Sequence, residues 1–393
     1  MMRILHLCDS SATWEQRSAI AQLRQHLPQA DHVQRVATID RVAQRHLRFE
    51  DAPVTLLRRR LKLPALAGAA VHAFAERESI DVIHAWGVDA AAAARAAWPS
   101  GNPVAVTVFD PGVTKREARI LRTIGTTGRL AIVCAAQRVR RRLVECGIPF
   151  KQCVVLRPAV DFSCPRTVDG IALRAELGLP PQGTIVLVPE LSREHEDHYA
   201  AIWSVLMRGY LEKNVRLIVP GVSRRLPKLR RLARSSENPQ AILFTEDRYA
   251  FEQLCALADY LVLGSTGEVS LTAIAWAMAC ETSIIAPATH ATTELLEDNR
   301  NALLFNAPSS WRRRATRICA LYSEGEQLTR IKETARGQAY NLFSLRRATD
   351  QHRRLYENLV NGAAPEEGIT DPAAPALPGT VPDPRHPPTA PDQ

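Results

Sequence analysis

Asp259–Pro287 reads D-Y-L-V-L-G-S-T-G-E-V-S-L-T-A-I-A-W-A-M-A-C-E-T-S-I-I-A-P, and Thr292–Phe305 reads T-T-E-L-L-E-D-N-R-N-A-L-L-F. These two stretches decide the fold. The apolar run Tyr260–Leu263 has the length of a buried strand. A polar turn containing Gly264 and Gly267 then delivers Glu268 to the start of a helix over Leu271–Ala279. A second apolar run, Ser283–Ala286, predicts another strand. A polar turn, a short helix around Glu294 and a third run ending at Phe305 follow. In open parallel α/β sheets, ligands bind where strand ends meet helix N-termini, because free N–H groups and the helix dipole favour anions there. An acidic side chain in such a turn suits sugar hydroxyls beside a bound phosphate.

The same alternation of short apolar runs and amphipathic stretches extends in both directions, which predicts parallel βα units. Towards the N-terminus, strands are expected at Ile4–Cys8, Val33–Ala37, Val54–Leu57, Val82–Ala85, Val104–Phe109, Ala131–Cys134 and Val154–Leu156. A stretch with Pro158, Pro165 and Gly170 interrupts the series. A second series begins with Ile171–Leu177, for which Gly178 is a helix stop, and continues with strands at Ile185–Val188, Val215–Val219 and Ile242–Phe244. Charged helices are expected over 310–321, 326–340 and 345–360. Residues 362–393 hold nine of the chain's 26 prolines and almost no large apolar side chains, a composition expected to remain disordered. There is no G-x-G-x-x-G, no P-loop and no repeat of 20–50 residues.

The motif-bearing segment resembles the nucleotide-sugar signature of GT-B glycosyltransferases, specifically glycosyltransferase family 4. Glu268, the core Ala277-Met278-Ala279, Ile284-Ile285-Ala286, Glu294 and Asn301-Ala302-Leu303-Leu304 carry that resemblance. It continues in Asp81-Val82-Ile83-His84-Ala85-Trp86, in Pro103–Asp110, in Cys146-Gly147-Ile148-Pro149 with Val154–Asp161, and in Arg174–Leu179. It therefore covers roughly residues 1–360. The resemblance implies an α/β fold of the GT-B type, with two Rossmann-like parallel-sheet domains facing a cleft. Residues 1–160 would form the acceptor-side domain and 161–344 the nucleotide-sugar side. Residues 345–361 would form a helix crossing back to the first domain, ahead of the tail 362–393.

The departures from the family pattern fall on chemistry. The loop expected to bind the donor diphosphate through an arginine and a lysine reads Pro189-Glu190-Leu191-Ser192-Arg193-Glu194-His195-Glu196. Glu190 replaces the arginine and His195 the lysine, leaving Arg193 and His195 as the local cationic candidates. Phe109 stands at the acceptor-side histidine, Asp9-Ser10-Ser11-Ala12-Thr13 at the glycine pair of the first loop, and Trp276 at a second glutamate. A charge-assisted hydrogen bond to phosphate contributes roughly 1.5–3 kcal/mol, so two losses weaken donor binding by about 10²- to 10⁴-fold.

The resemblance implies donor contacts at Glu268, Glu294, Arg193 and His195. Further cleft candidates are His84, Ser11 and Trp276. Each has a plainer alternative: Glu268 as a helix-dipole partner, Glu294 as a cap or a partner of Arg300, His84 as a satisfied histidine, and Trp276 as helix core. The implied activity is sugar transfer from a nucleotide-sugar to a lipid, saccharide or small molecule, retaining anomeric configuration, with no metal and no cofactor beyond the donor. The alternative is a non-catalytic relative serving as a binding or scaffold module, for example as partner of an active glycosyltransferase.

Composition bounds the remaining classes. The net charge is +9, and the tail's five acids against one arginine leave the rest of the chain near +13. Basic runs at 58–62, 138–142, 224–234 and 312–317 are expected to be solvated helix faces, with contact to anionic lipid the main alternative. They lack interleaved aromatics, so nucleic acid is not an expected partner. Eight cysteines stand singly with no C-x-x-C, the pattern of small core residues in a reducing cytosol. No apolar run approaches the roughly 18 residues of a membrane span. Ile4–Leu7, closed by Asp9, reads as a strand and not as a signal segment. A cytoplasmic protein, peripheral at most to the inner membrane face, is the expectation.

Overall fold

The computed structural model describes residues 1–9, 13–39, 53–57, 67–98, 101–109, 113–125, 128–190, 198–212, 214–222, 225–267, 269–306, 310–322 and 325–371. Its first half runs β1 (Met2–Cys8), α1 (Trp14–His26), β2 (His32–Thr38), β3 (Val54–Leu56), α2 (Gly68–Arg77), β4 (Val82–Trp86), α3 (Val88–Ala97), β5 (Gly101–Val108), α4 (Lys115–Gly125), β6 (Gly128–Cys134), α5 (Gln137–Glu145) and β7 (Cys153–Val155). These strands form one sheet in the order β3-β2-β1-β4-β5-β6-β7, and every pairing is parallel.

The second half runs α6 (Cys164–Thr167), α7 (Gly170–Glu176), β8 (Ile185–Leu187), α8 (His198–Arg208), β9 (Arg216–Pro220), α9 (Leu226–Arg234), β10 (Ile242–Glu246), α10 (Phe251–Leu257), β11 (Tyr260–Val262), α11 (Leu271–Ala279), β12 (Ser283–Pro287), β13 (Leu303–Phe305), α12 (Trp311–Leu321), α13 (Glu326–Leu342) and α14 (Leu345–Asn361). Its sheet has the order β10-β9-β8-β11-β12-β13, again parallel. The two doubly wound sheets expected from the apolar runs are thus present. Each reverses its strand order once, between β1 and β4 and between β8 and β11. The carboxyl ends of those strand pairs are where an open sheet leaves a crevice.

Burial on both sheet faces explains the run-like strand sequences. All five residues of β4 and of β12 are buried, as is every residue of α11. An all-apolar helix must be covered on all sides, and α11 is enclosed by α10, α13 and β12. One apolar cluster runs through both halves, joining Leu5, Leu7, Trp14 and Val106 to Phe251, Leu261, Ala273 and Trp276. α14 crosses back over the first sheet, with Leu355, Tyr356 and Leu359 packed on Ile4, Trp86 and Ala131.

Two expectations need correction. The segment around Glu294 is a chain of turns and not a helix. The Thr292 hydroxyl donates to the carbonyls of Pro287 and Thr289, offering the backbone an alternative to helical bonding. Within the tail, Gly362–Asp371 is ordered against the body through Arg140–Glu366 and Arg157–Asp371 ion pairs. Residues 372–393 lie outside the described residues.

Candidate functional site

In the second half, the crevice between β8 and β11 is lined by Val188, Pro189, His198, Leu263, Ser265 and Val269. His198 is buried, and its Nε2 donates to the Pro189 carbonyl at 2.8 Å, fixing the strand exit. The next residue, Glu190, is 4% exposed. Burial pushes its carboxyl up to about 8. The Arg17 guanidinium opposes that rise, while Asp247, Glu252 and Glu15 add to it. Arg17 Nη2 lies 3.6 Å from Glu190 Oε2 and comes from α1, in the opposite half. The described cation beside Glu190 therefore comes from across the crevice.

The start of α11 is occupied in the same way. Ser270 is its N-cap: its Oγ accepts from Ala273 N at 3.0 Å and donates to Glu15 Oε1 at 2.6 Å. Glu15 is 1% exposed and also belongs to α1. A carboxylate therefore stands at the helix N-terminus where an anionic ligand would be favoured. Beside it, the Trp14 and Phe251 rings meet with centroids 4.5 Å apart. Replacing Ser270 with alanine removes both hydrogen bonds, including the one the buried Glu15 carboxylate accepts. The expected loss is about 1–3 kcal/mol, read as a lower urea midpoint with an unchanged m-value.

The first half shows the reciprocal arrangement. Glu294, from the second half, accepts from Gln137 N at 3.0 Å and Arg138 N at 3.1 Å at the start of α5, and from Arg157 Nη2 at 3.0 Å. Arg300, its alternative partner from sequence, pairs with Glu297. At the end of β1, Asp9 Oδ2 accepts from Asp89 N and Ala90 N, both at 3.1 Å, at the start of α3. Gly87, at φ +111°, is required there because a Cβ would collide with that carboxylate. Three helix starts facing the crevice thus hold carboxylates of the chain itself. The space left between β8 and β11 is about 10 Å³, far below the roughly 300–1,000 Å³ of a small-molecule site.

His84 is fully buried on β4. Its Nδ1 is 2.7 Å from the Tyr356 hydroxyl and its Nε2 2.6 Å from Thr107 Oγ1, so both ring nitrogens are engaged. Trp86 Nε1 donates to His6 Nδ1, and His6 Nε2 therefore donates to Gln34 Oε1. His352 completes the group, its Nδ1 donating to the Ala348 carbonyl at 2.8 Å. Burial holds His6 and His352 down at about 4 and His84 well below the usual imidazole range. Trp276 is 2% exposed within α11, and its Nε1 has no hydrogen-bond partner among the described residues. Glu268, Arg193, His195 and Ser11 lie outside the described residues, as do Arg58–Lys62.

Glu15, Arg17, Arg157 and Ser270 are the site residues that sequence reasoning missed. A signal existed for two of them. Glu15 and Arg17 occupy the first turn after the β1 loop, and such a turn faces the crevice at a switch point. Arg138 and Arg140 also turn inward, donating to the Val269 carbonyl and stacking on Phe150 at 3.5 Å, respectively, whereas Arg141, Arg142, Arg312 and Arg313 are exposed. Among the described residues no group of three or more His, Cys, Asp or Glu could hold a metal ion. No described helix is long and apolar enough to cross a membrane.

Two family models match the sequence. The one described as Glycosyltransferase Family 4 matches residues 17–163, and the one described as Glycosyl transferases group 1 matches residues 184–324. No curated protein matches. Among solved structures, Anabaena HepE in complex with UDP-glucose is similar at TM-score 0.73 and 17% identity, over 91% of this chain and 100% of that one. A glycosyltransferase from Rickettsia africae gives 0.71 and 16%, over 92% and 99%. The sucrose-phosphate synthase from Thermosynechococcus elongatus gives 0.69 and 16%, over 92% and 100%. At these identities the likeness is one of fold.

Proposed function

This chain belongs to glycosyltransferase family 4 as a divergent member with the GT-B fold, and we propose that it moves a sugar from a nucleotide-sugar donor to an acceptor. One observation supports the proposal: α1, which follows the β1 loop of the first sheet, brings Glu15 to Ser270 at the start of α11 and Arg17 to Glu190 at the β8 exit. A donor diphosphate placed there takes the helix N-terminus and its N–H groups. Glu268, Glu294, Arg193 and His195 are the proposed donor contacts, with the sugar hydroxyls assigned to Glu268. To these we add Arg17, a cation supplied from the first half in place of the one that Glu190 replaces. In the family pattern the reaction retains anomeric configuration without a metal, and the proposal adopts both. The acceptor is left as a lipid, saccharide or small molecule.

Donor entry requires the halves to part, separating Glu15 from Ser270, Arg17 from Glu190 and Trp14 from Phe251. Once Glu15 leaves, the start of α11 is free for phosphate. A second reading is favoured by these same contacts: a non-catalytic relative whose carboxylates permanently occupy the phosphate positions. Calorimetric titration with UDP, UDP-glucose and a panel of other nucleotide-sugars separates the two. Under the transferase reading one donor binds at micromolar concentration, and Glu268→Ala and Arg17→Ala each weaken it by about ten- to a hundredfold. Absence of binding at millimolar ligand would sink that reading and leave the scaffold.

A further inference from the structure

We propose that Arg157 forms an anion-binding site in the first half of the molecule, taken up in the resting chain by Asp371. The guanidinium is 3% exposed at its side chain. Its Nε donates to Asp371 Oδ1 at 2.8 Å and its Nη2 to Oδ2 at 3.0 Å, the side-on fork geometry that suits a two-oxygen anion. Gln137 Nε2 donates to the same Oδ2 at 2.9 Å. Arg157 Nη2 also serves Glu294, so one guanidinium holds two carboxylates from different segments. Arg157 Nη1 is buried with no hydrogen-bond partner among the described residues. A small cavity of about 30 Å³ adjoins Arg157, lined also by Trp86, Phe109, Leu156 and His352. The Nδ1 of His352 donates to a carbonyl, which leaves its Nε2 as an acceptor.

Asp371 reaches this position at the end of a strap. Gln351 Nε2 holds the Thr370 carbonyl, Arg354 Nη1 the Gly368 carbonyl, Asn358 Nδ2 the Glu367 carbonyl and Arg140 Nη2 the Glu366 carboxylate. The strap has no helix or strand of its own beyond turns. It is therefore the part of this cluster that can leave without disturbing either sheet. Glu294 stays behind, bonded to the backbone of α5. Its charge selects against a dianion, so the ligand is a monoanion with two oxygens on one centre, a carboxylate or a phosphodiester, attached to a small apolar group. The site shares Glu294 with the proposed donor contacts, but the Arg157–Asp371 fork and its test need no sugar transfer. In the resting chain the strap acts as a tethered competitor for it.

The experiment titrates the full chain with acetate and, separately, with dimethyl phosphate, following ligand line broadening by NMR. Asp371→Ala is expected to bind at least one probe about tenfold more tightly than the native chain. Adding Gln137→Ala, which removes a side-chain donor and leaves the α5 backbone intact, should reverse most of that gain. A response to acetate alone assigns a carboxylate ligand, and a response to dimethyl phosphate alone a phosphodiester. No gain with either probe, or a gain indifferent to Gln137→Ala, overturns the proposal. Should Asp371→Ala fail to fold, the native chain decides. The effective probe must then speed amide exchange at Glu367 and Ile369, which are bonded within the strap, and unchanged exchange up to about 100 mM probe overturns the proposal, since tethered competitors act at millimolar effective concentration.

Discussion

Arg157→Ala is expected to destabilise the fold by about 3–5 kcal/mol, measured as the urea unfolding free energy at neutral pH. The guanidinium is nearly dry and faces Glu294 and Asp371, whose side chains are 16% and 5% exposed. Removing it leaves two carboxylates close together without the guanidinium that neutralises both. Deleting one member of a buried ionic group costs far more than the group contributes against an apolar replacement. Adding Glu294→Gln and Asp371→Asn to the alanine variant should recover part of the loss by removing the unpaired charges. A loss below about 1 kcal/mol, the range of exposed pairs, would show that water reaches this cluster freely.

A second large effect is a stability maximum near pH 6.5. His6 and His352 are held neutral at about 4 by burial, against about 6.5 in an unfolded chain. Between those values the unfolded state binds the extra protons, so stability is fully present above pH 6.5 and is lost as pH falls towards 4. Each histidine accounts for roughly 3 kcal/mol, and His84 acts in the same direction. That sum is comparable to the whole stability of a typical domain. Glu190 has the opposite sign. Its carboxyl is raised from 4.5 to about 8, so its contribution is present below pH 4.5 and declines as pH rises to 8. Unfolding free energies measured from pH 4 to 8 should fall steeply on the acid side and gently on the alkaline side. His6→Gln should flatten the acid limb and Glu190→Gln the alkaline one. A profile level between pH 4 and 6.5 would contradict neutral buried imidazoles.

The fold was legible because nearly every strand is buried on both faces, leaving uninterrupted apolar runs such as Tyr260–Leu263 and Ser283–Ala286 that turn residues delimit. The helix Leu271–Ala279 could be read to its ends, since Ser270 caps it and all its residues are apolar or small apart from Thr272. Glu294 was visible as a motif position, but its partners were not: Gln137 and Arg157 lie more than 130 residues earlier. Asp371 was misread for a related reason. Proline-rich acidic sequence predicts disorder when judged by its own apolar content, yet these acids are bound by arginines 214 and 226 residues away. Long-range polar pairing leaves no periodic trace. The carboxylates at the helix starts were hidden likewise, because Glu15 bonds the capping hydroxyl of a helix in the other half of the chain.

The apolar cluster shared by the two halves carries a consequence for how the molecule comes apart. Trp14 and Phe251 belong to helices of different halves but to one continuous interior, so neither half retains a complete core when severed from the other. Heat therefore melts the chain as a single cooperative unit. Swinging the halves apart carries a wetting penalty set by two aromatic rings, and a bound molecule must supply that much from its own contacts before any affinity can be observed.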